Sequence, residues 1–310
     1  MKNKAPFYGL ALMVLIYVVV LFWLDSRNNV FLGIYESAHL LVYIVLLSAC
    51  SYIIRFCRWN WLLKKAGHRF DFGRGLLGYL AGFTFTSTPG KVGELLRIRY
   101  FSVLAVPSWL VVSAFIYERM LDLVVILILC SFSLVAFQGR IQVLSFVVFI
   151  VLGIVFMVRE PMLLDRVMNM FRFNKFFSDL VTVFKSGVLG IGLWSKWSDF
   201  FISLILGLLA WTITSFSFVL LLDSLNIEMP IVLAISIYPL AMLVGAASML
   251  PGGLGSTEAA IVFLLTANQV QFDTAVLASI IIRLGTLWFA TICGVFSMLY
   301  LDTLITSRKV

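Results

Sequence analysis

The chain carries the stretch PGKVGE at residues 89–94 and a related stretch, PGGLGSTE, at residues 251–258. Each begins with a Pro-Gly pair, which ends a helix because proline lacks a backbone N–H and glycine adopts conformations closed to other residues. In each copy an arginine follows the glutamate by 25 residues, Arg119 after Glu94 and Arg283 after Glu258. Because both stretches interrupt apolar sequence, they predict two broken helices that hold polar groups inside a membrane.

The composition is that of a polytopic membrane protein. Hydrophobic residues make up 62% of the 310 residues, charged residues make up 12%, and the mean hydropathy is +1.07. Soluble domains are far less apolar. We expect a single transmembrane domain over residues 1–310, with no separate soluble domain and no assigned catalytic residue, which disfavours a conventional enzyme.

The net charge of +8 is distributed as in a membrane protein rather than a nucleic-acid-binding one. Basic residues gather in alternate loops, and this asymmetry predicts that both termini are cytoplasmic. The two basic clusters are Arg55, Arg58, Lys64, Lys65, Arg69 and Arg74, and Arg159, Arg166, Arg172, Lys175, Lys185 and Lys196.

Apolar runs of about 20 residues, the length that crosses roughly 30 Å of hydrocarbon, predict spanning helices. Six segments qualify: 7–24, 40–54, 109–137, 141–158, 200–222 and 274–301. Residues 159–198 mix apolar and basic side chains, which predicts a cytoplasmic amphipathic connector that lies on the membrane surface or packs on the bundle. The predicted fold class is therefore an all-α, polytopic membrane helical bundle.

Two further segments predict re-entrant hairpins because they break before they can cross. Residues 75–97 break at the first Pro-Gly pair, and residues 231–267 break at the second, with Pro239 as an additional interruption. The first hairpin is expected to enter from the cytoplasm and the second from outside, which would make residues 1–137 and 141–302 an inverted repeat. The turn residues are Pro89, Gly90, Gly93, Pro251, Gly252, Gly253 and Gly255.

The most polar point of any predicted span lies at Glu118, Arg119 and Asp122. Each charge at the centre of a membrane helix costs at least about 2.5 kcal/mol on insertion scales, so this group needs partners or water. One interpretation is a structural ion-pair network with Glu94–Arg119 and Glu258–Arg283 as staples. The other is a gate at which the arginines meet an anionic lipid headgroup, and both can hold together.

Three further cations lie on the return of the first hairpin. Lys91, Arg97 and Arg99 are predicted to face the cytoplasmic mouth, where they could attract lipid phosphate or only anchor the positive-inside orientation. Four scattered cysteines and two histidines show no metal-ligand spacing, so neither a metal nor a cofactor is expected.

The sequence resembles the transmembrane region of lysylphosphatidylglycerol synthases, a family that includes stand-alone flippase-like membrane proteins. The matching features are the Pro-Gly-x-x-Gly-Glu-x-x-Arg core within residues 83–97, Glu118-Arg119 with Asp122, and PGGLG at 251–255 followed by Glu258. The resemblance implies movement of a lipid between leaflets of a bacterial or archaeal inner membrane. Because the sequence lacks the synthases' soluble aminoacyl-transfer domain, lysine transfer is expected to be absent.

The leading hypothesis is a flippase or transporter for an anionic or phosphate-bearing lipid, either a phospholipid or a polyprenyl-linked lipid. It would work without ATP hydrolysis, since no Gly-x-x-x-x-Gly-Lys-Ser/Thr loop is present. The alternatives are a membrane-embedded transferase on polyprenyl phosphate, with Glu118 or Asp122 as base or metal ligand, and an accessory subunit. The expected partner is membrane lipid, with a glycosyltransferase, a lipid-modifying enzyme or a second copy as candidates and no nucleic acid.

Overall fold

The computed structural model describes residues 30–36, 38–136 and 185–307, with single positions before residue 30 and between residues 149 and 160. Regular structure in these ranges is entirely helical, which confirms the all-α prediction. The predicted spans 7–24 and 141–158 and most of the connector 159–198 lie outside the described residues. Within the described ranges, three helical stretches are long and apolar enough to cross a membrane: Ala38–Lys65, Trp197–Ser224 and Phe272–Ser307.

The α-helices and the short 3₁₀ and π segments between them follow one another along the chain. They are α1 (Val30–Glu36), α2 (Ala38–Lys65), α3 (Phe72–Ala81), 3₁₀ segments Gly82–Phe85 and Pro89–Leu96, α4 (Arg97–Val103), α5 (Ser108–Ala136), a 3₁₀ segment Ile191–Trp194, α6 (Trp197–Ser224), α7 (Ile231–Ala247), a 3₁₀ segment Pro251–Gly253, α8 (Ser256–Thr266), α9 (Phe272–Arg283), a π-helical turn Leu284–Trp288, and α10 (Phe289–Ser307).

The long helices α2 and α6 pack along each other. Small hydroxyl side chains lie at their contact: the Ser51 hydroxyl donates to the Ala210 carbonyl at 2.9 Å, and the Thr214 hydroxyl donates to Ser51 at 3.1 Å. Such residues let membrane helices approach closely and satisfy each other's polar groups. The helix α2 is much longer than the predicted span 40–54, and this extension places Arg55 and Arg58 inside the bundle.

The first hairpin consists of α3, two 3₁₀ segments and α4, and α3 packs against α4. Asp71 caps α3 by accepting a hydrogen bond from the Arg74 N–H at 2.9 Å. The chain leaves helical geometry at Thr88, which is extended, immediately before Pro89. The Thr88 hydroxyl accepts a hydrogen bond from the Gly93 N–H at 2.7 Å, so it satisfies a backbone group freed by the break.

The second hairpin consists of α7, the 3₁₀ segment Pro251–Gly253 and α8, and its two legs also pack together. Gly252, Gly253 and Gly255 have φ values of 63°, 63° and 80°, in the left-handed region that glycine adopts most readily. The chain can therefore reverse within a few residues.

Pro239 does not interrupt the second hairpin, and that prediction is wrong. The proline lies within α7, which continues without a break to Ala247. A proline removes one helical hydrogen bond, but neighbouring helices can shield the freed carbonyl in a membrane bundle. Pro239 is itself buried, and α7 packs against α5, α6 and α8, which provides this shielding.

The last helical stretch packs against the first hairpin. Its final part, α10, contacts both α3 and the 3₁₀ segment Gly82–Phe85. At Gly294 the approach is so close that an added Cβ would overlap the backbone nitrogen of Thr84. Only glycine fits there, because backbone cannot move aside as a flexible side chain can.

Replacing Gly294 with alanine should therefore loosen the first hairpin from α10. We expect Gly294→Ala to cost about 1–3 kcal/mol of stability, the usual range for overpacking. The measurement is the thermal midpoint of the purified protein in detergent. Gly78→Ala in α3 is the matched control, because its Cβ would only touch the Phe101 ring and the Tyr100 Cβ at 3.4 Å. Equal midpoints for the two variants would contradict the proposed packing.

Candidate functional site

Two buried carboxylates on α5 form the centre of the site. Glu118 and Asp122 are one helical turn apart, so they lie on the same face, and they are 0% and 4% exposed. Their cations come mainly from elsewhere in the chain. The arrangement therefore depends on tertiary packing rather than on α5 alone.

Helix α2 supplies the shortest contact to this pair. Nη2 of Arg58 lies 2.7 Å from Asp122 and 3.2 Å from Glu118, and the arginine side chain is fully buried. Arg55, three residues earlier on the same helix, lies 3.3 Å from Asp122. Both arginines thus join α2 to α5 inside the bundle.

Arg97, one of the three cations on the return of the first hairpin, is buried. Its Nη2 lies 3.0 Å from Glu94, and its Nη1 lies 3.6 Å from Glu118. Its Nε donates to the Tyr79 carbonyl at 3.0 Å, and its guanidinium lies 3.8 Å from the centre of the Tyr79 ring. This side chain ties the first hairpin to α5, and a desolvated cation over an aromatic face adds to that contact.

Of the two predicted pairs, Glu94–Arg119 is longer than Glu258–Arg283. Its Nη2 lies 3.2 Å from Asp122, one turn along α5, and 4.0 Å from Glu94. Arg97 lies closer to Glu94 than Arg119 does, and the Thr86 hydroxyl also donates to Glu94 at 3.0 Å. The side chain of Arg119 remains 23% exposed, unlike the fully buried Arg58, so it can reach a ligand.

The second motif makes a direct pair. Nε of Arg283 donates to Glu258 at 2.9 Å, and its Nη2 donates to the Gly252 carbonyl at 2.6 Å. Arg283 ends α9 and is followed by the π-helical turn Leu284–Trp288. The arginine thereby ties the turn of the second hairpin to the last helical stretch.

The turns of the two hairpins meet. The 3₁₀ segments Pro89–Leu96 and Pro251–Gly253 are in contact, and a Cβ on Gly252 would lie 3.1 Å from the Cα and Cβ of Ser87. Of the predicted turn residues, Pro89, Gly90, Gly93, Pro251, Gly252 and Gly253 fall in these segments, and Gly255 precedes α8.

A cavity of about 90 Å³ lies against this meeting point, and it is called the polar cavity because charged side chains form part of its wall. That volume holds several water molecules, since one water needs roughly 10–15 Å³ on this measure. Four cations and one carboxylate are among the residues that line it: Arg55, Lys91, Arg119, Arg283 and Glu94. The excess of positive charge makes the cavity suited to an anion.

A second cavity, of about 270 Å³, adjoins the same groups but is more apolar. Much of its wall consists of Leu123, Ile126, Met242, Leu243, Ala246 and Leu250. It shares Lys91, Arg119, Trp211, Met242 and Gly252 with the polar cavity. A charged chamber and an apolar chamber therefore have a common wall.

Lys91 and Arg99 have different surroundings although both follow the first break. Lys91 lines both cavities, and within the described part of the chain it makes no ion pair. Arg99 is 49% exposed and lies 2.8 Å from Asp302 of α10. Only Lys91 of these two borders the cavities.

The comparison with known protein families decides the identity of the chain. A model of the lysylphosphatidylglycerol synthase transmembrane region matches residues 9–294, which is most of the chain. The chain belongs to this family. A search of curated proteins found no match. Together with the apolar helices, family membership identifies an integral membrane protein of a lipid-related family.

Sequence reasoning about this family member missed Arg55 and Arg58 as site residues. The sequence predicts a cytoplasmic basic cluster for both, because they precede Lys64 and Lys65. Their separation of three residues, with apolar and aromatic neighbours, places them on one helix face and was the available signal. Among the described residues, no three His, Cys, Asp or Glu side chains lie close enough together to bind a metal ion.

Proposed function

We propose that this protein moves an anionic or phosphate-bearing lipid between the leaflets of its membrane without hydrolysing ATP. The observation that carries the proposal is the pair of adjoining cavities. One is lined by four cations, and the other is largely apolar. A molecule that fits both has a charged head and a hydrocarbon tail, which is the chemistry of a membrane lipid.

The broken hairpins support passage of the headgroup. Irregular backbone at membrane depth is stable only where protein or water shields it from lipid, so a polar path is expected beside such turns. Both turns border the cavities, the first through Thr88 and Lys91 and the second through Gly252 and Gly253. The headgroup would pass between the turns while the tails remain on the apolar side.

The ion pairs beside the cavities are the proposed gate. Arg283 holds both Glu258 and the Gly252 carbonyl, and Arg119 contacts Asp122 while remaining partly exposed. An arriving phosphate offers these arginines a new bidentate acceptor. Exchange of a carboxylate for a phosphate would then loosen the turn and admit the headgroup.

Reconstituted protein tests this function. We expect purified protein in liposomes to speed the transbilayer movement of a labelled anionic phospholipid above the rate in protein-free liposomes. Arg119→Ala and Glu258→Gln should each slow this movement at least roughly tenfold, since a hydrogen bond to a charged group contributes about 1.5–3 kcal/mol. The assay follows the loss of label accessible to a membrane-impermeant quencher.

Arg99→Ala is the matched control, because it removes an arginine of the same hairpin region whose ion pair lies away from the cavities. Its rate should equal that of the unmodified protein. Unchanged rates in both Arg119→Ala and Glu258→Gln would remove the proposed site. The absence of any protein-dependent movement would remove the function.

A further inference from the structure

We propose that the headgroup recognised in the polar cavity is a phosphomonoester, which carries close to two negative charges, rather than a singly charged phosphodiester. This inference rests on the proposed function and specifies its substrate class. Three independent features support it: the charge balance around the cavity, the backbone geometry of Lys91, and two buried donors without acceptors.

The cluster around the first hairpin has two more positive charges than negative ones. Its five cations are Arg55, Arg58, Lys91, Arg97 and Arg119, and its three carboxylates are Glu94, Glu118 and Asp122. The Glu258–Arg283 pair is neutral in sum. Buried charge is costly unless it is compensated, so a ligand of charge near −2 would balance the cluster.

Lys91, which carries one of these charges, has a strained backbone. Lys91 has a φ of 56°, in the left-handed region that L-residues with a side chain rarely adopt. It is the third residue of the first Pro-Gly motif, and the third residue of the second motif is Gly253, with a φ of 63°. Glycine is the relaxed choice at this position, so a lysine there points to a functional charge.

Two buried N–H donors beside the cavities also lack an acceptor among the described residues. They are Nε of Arg119 and the indole Nε1 of Trp211. Both residues line both cavities. Buried donors are normally paired, and a phosphate presents several acceptor oxygens.

A monoester fits these features better than a diester. A phosphomonoester carries about −1.5 to −2 charges near pH 7 and presents three terminal oxygens. A phosphodiester has one negative charge and two such oxygens, which would leave the cluster with uncompensated positive charge. Inorganic phosphate shares the monoester's chemistry but has no tail to occupy the apolar cavity.

Three probes with matched chemistry separate these ligands. Phosphatidic acid is a monoester, phosphatidylmethanol has the same tails on a diester, and inorganic phosphate has no tails. We expect full-length protein in detergent to bind phosphatidic acid at least roughly tenfold more tightly than phosphatidylmethanol, a difference of about 1.4 kcal/mol. Binding is measured by displacement of a tail-labelled phosphatidic acid.

The variant Lys91→Gly removes the charge and adopts the residue found at the equivalent position of the second motif. It should keep or raise the thermal midpoint because the strain is relieved, and it should lose most of the monoester preference. Arg99→Ala should retain the preference. A preference that survives in Lys91→Gly would overturn the role of this lysine.

The remaining outcomes separate the inference from the function. Equal binding and equal liposome transport of the two lipids would overturn the monoester inference and leave lipid transport intact. If neither phosphatidic acid nor phosphatidylmethanol bound or moved, the proposed function would instead be removed. If inorganic phosphate displaced the labelled phosphatidic acid as well as unlabelled phosphatidic acid does at the same concentration, the inference that the ligand is a lipid would be overturned.

Discussion

Replacing Arg58 with alanine is expected to destabilise the protein more than any other single change at the site. Arg58 is fully buried and is the closest partner of Asp122. Removing one member of a buried pair leaves uncompensated charge and typically costs about 3–5 kcal/mol. It would also leave a void beside Gly207 of α6, where a methyl group would lie only 2.5 Å from the Arg58 Nη1.

The effect of Arg58→Ala is read as the thermal midpoint in detergent, which should fall by on the order of 10 °C for a chain of this size. Arg99→Ala is the control, because its pair with Asp302 is partly exposed and exposed pairs contribute only about 0–1 kcal/mol. Combining Arg58→Met with Glu118→Gln should recover part of the lost thermal stability, since a positive and a negative charge then disappear together. A shift of 2 °C corresponds to a stability difference on the order of 0.5–1 kcal/mol. The structural role of Arg58 would be contradicted if the midpoint of Arg58→Ala lay within about 2 °C of the control.

The positions of the hairpin breaks could be predicted from the sequence because proline and glycine act locally. Thr88 is extended directly before Pro89, and the second chain reversal uses left-handed glycines at Gly252 and Gly253. Pro239 shows the limit of that reasoning. A proline ends a helix only where its freed carbonyl is unshielded, and shielding depends on neighbours that are distant in the sequence.

The partners of the charged residues could be predicted only in part. Equal spacing of 25 residues suggested the same pairing in both motifs, and Arg283 does lie 2.9 Å from Glu258. In the first motif Arg97 lies one helical turn from Glu94 and contacts it at 3.0 Å, which leaves Arg119 at 4.0 Å. Lysine occupies the cavity position in one motif and glycine in the other, so the two halves need not function alike.

The contribution of Arg58 could not be predicted because it depends on how α2 meets α5. A basic residue at the end of an apolar run normally marks the membrane surface. Here the helix continues for seven residues beyond Arg58, to Lys65, and carries the guanidinium into the bundle. The inverted repeat and the cytoplasmic termini remain predictions.

A cross-link between the two hairpin turns should abolish lipid movement. The design places Ser87→Cys and Gly252→Cys in a variant whose native cysteines, Cys50, Cys57, Cys130 and Cys293, are replaced. A Cβ at residue 252 would lie 3.1 Å from the Ser87 Cβ, close to the roughly 3.5–4.5 Å that a disulfide spans. The turns would then be fixed against each other across the proposed path of the headgroup.

The most direct measurement is the rate of transbilayer lipid movement by this double-cysteine protein, oxidised and then reduced, in the same liposomes. Oxidation should lower the rate to that of protein-free liposomes, and reduction should restore it, because the strain of a cysteine at residue 252 is common to both states. Undiminished movement by fully cross-linked protein would contradict passage between the hairpins, and a failure of the cysteines to link would contradict their contact.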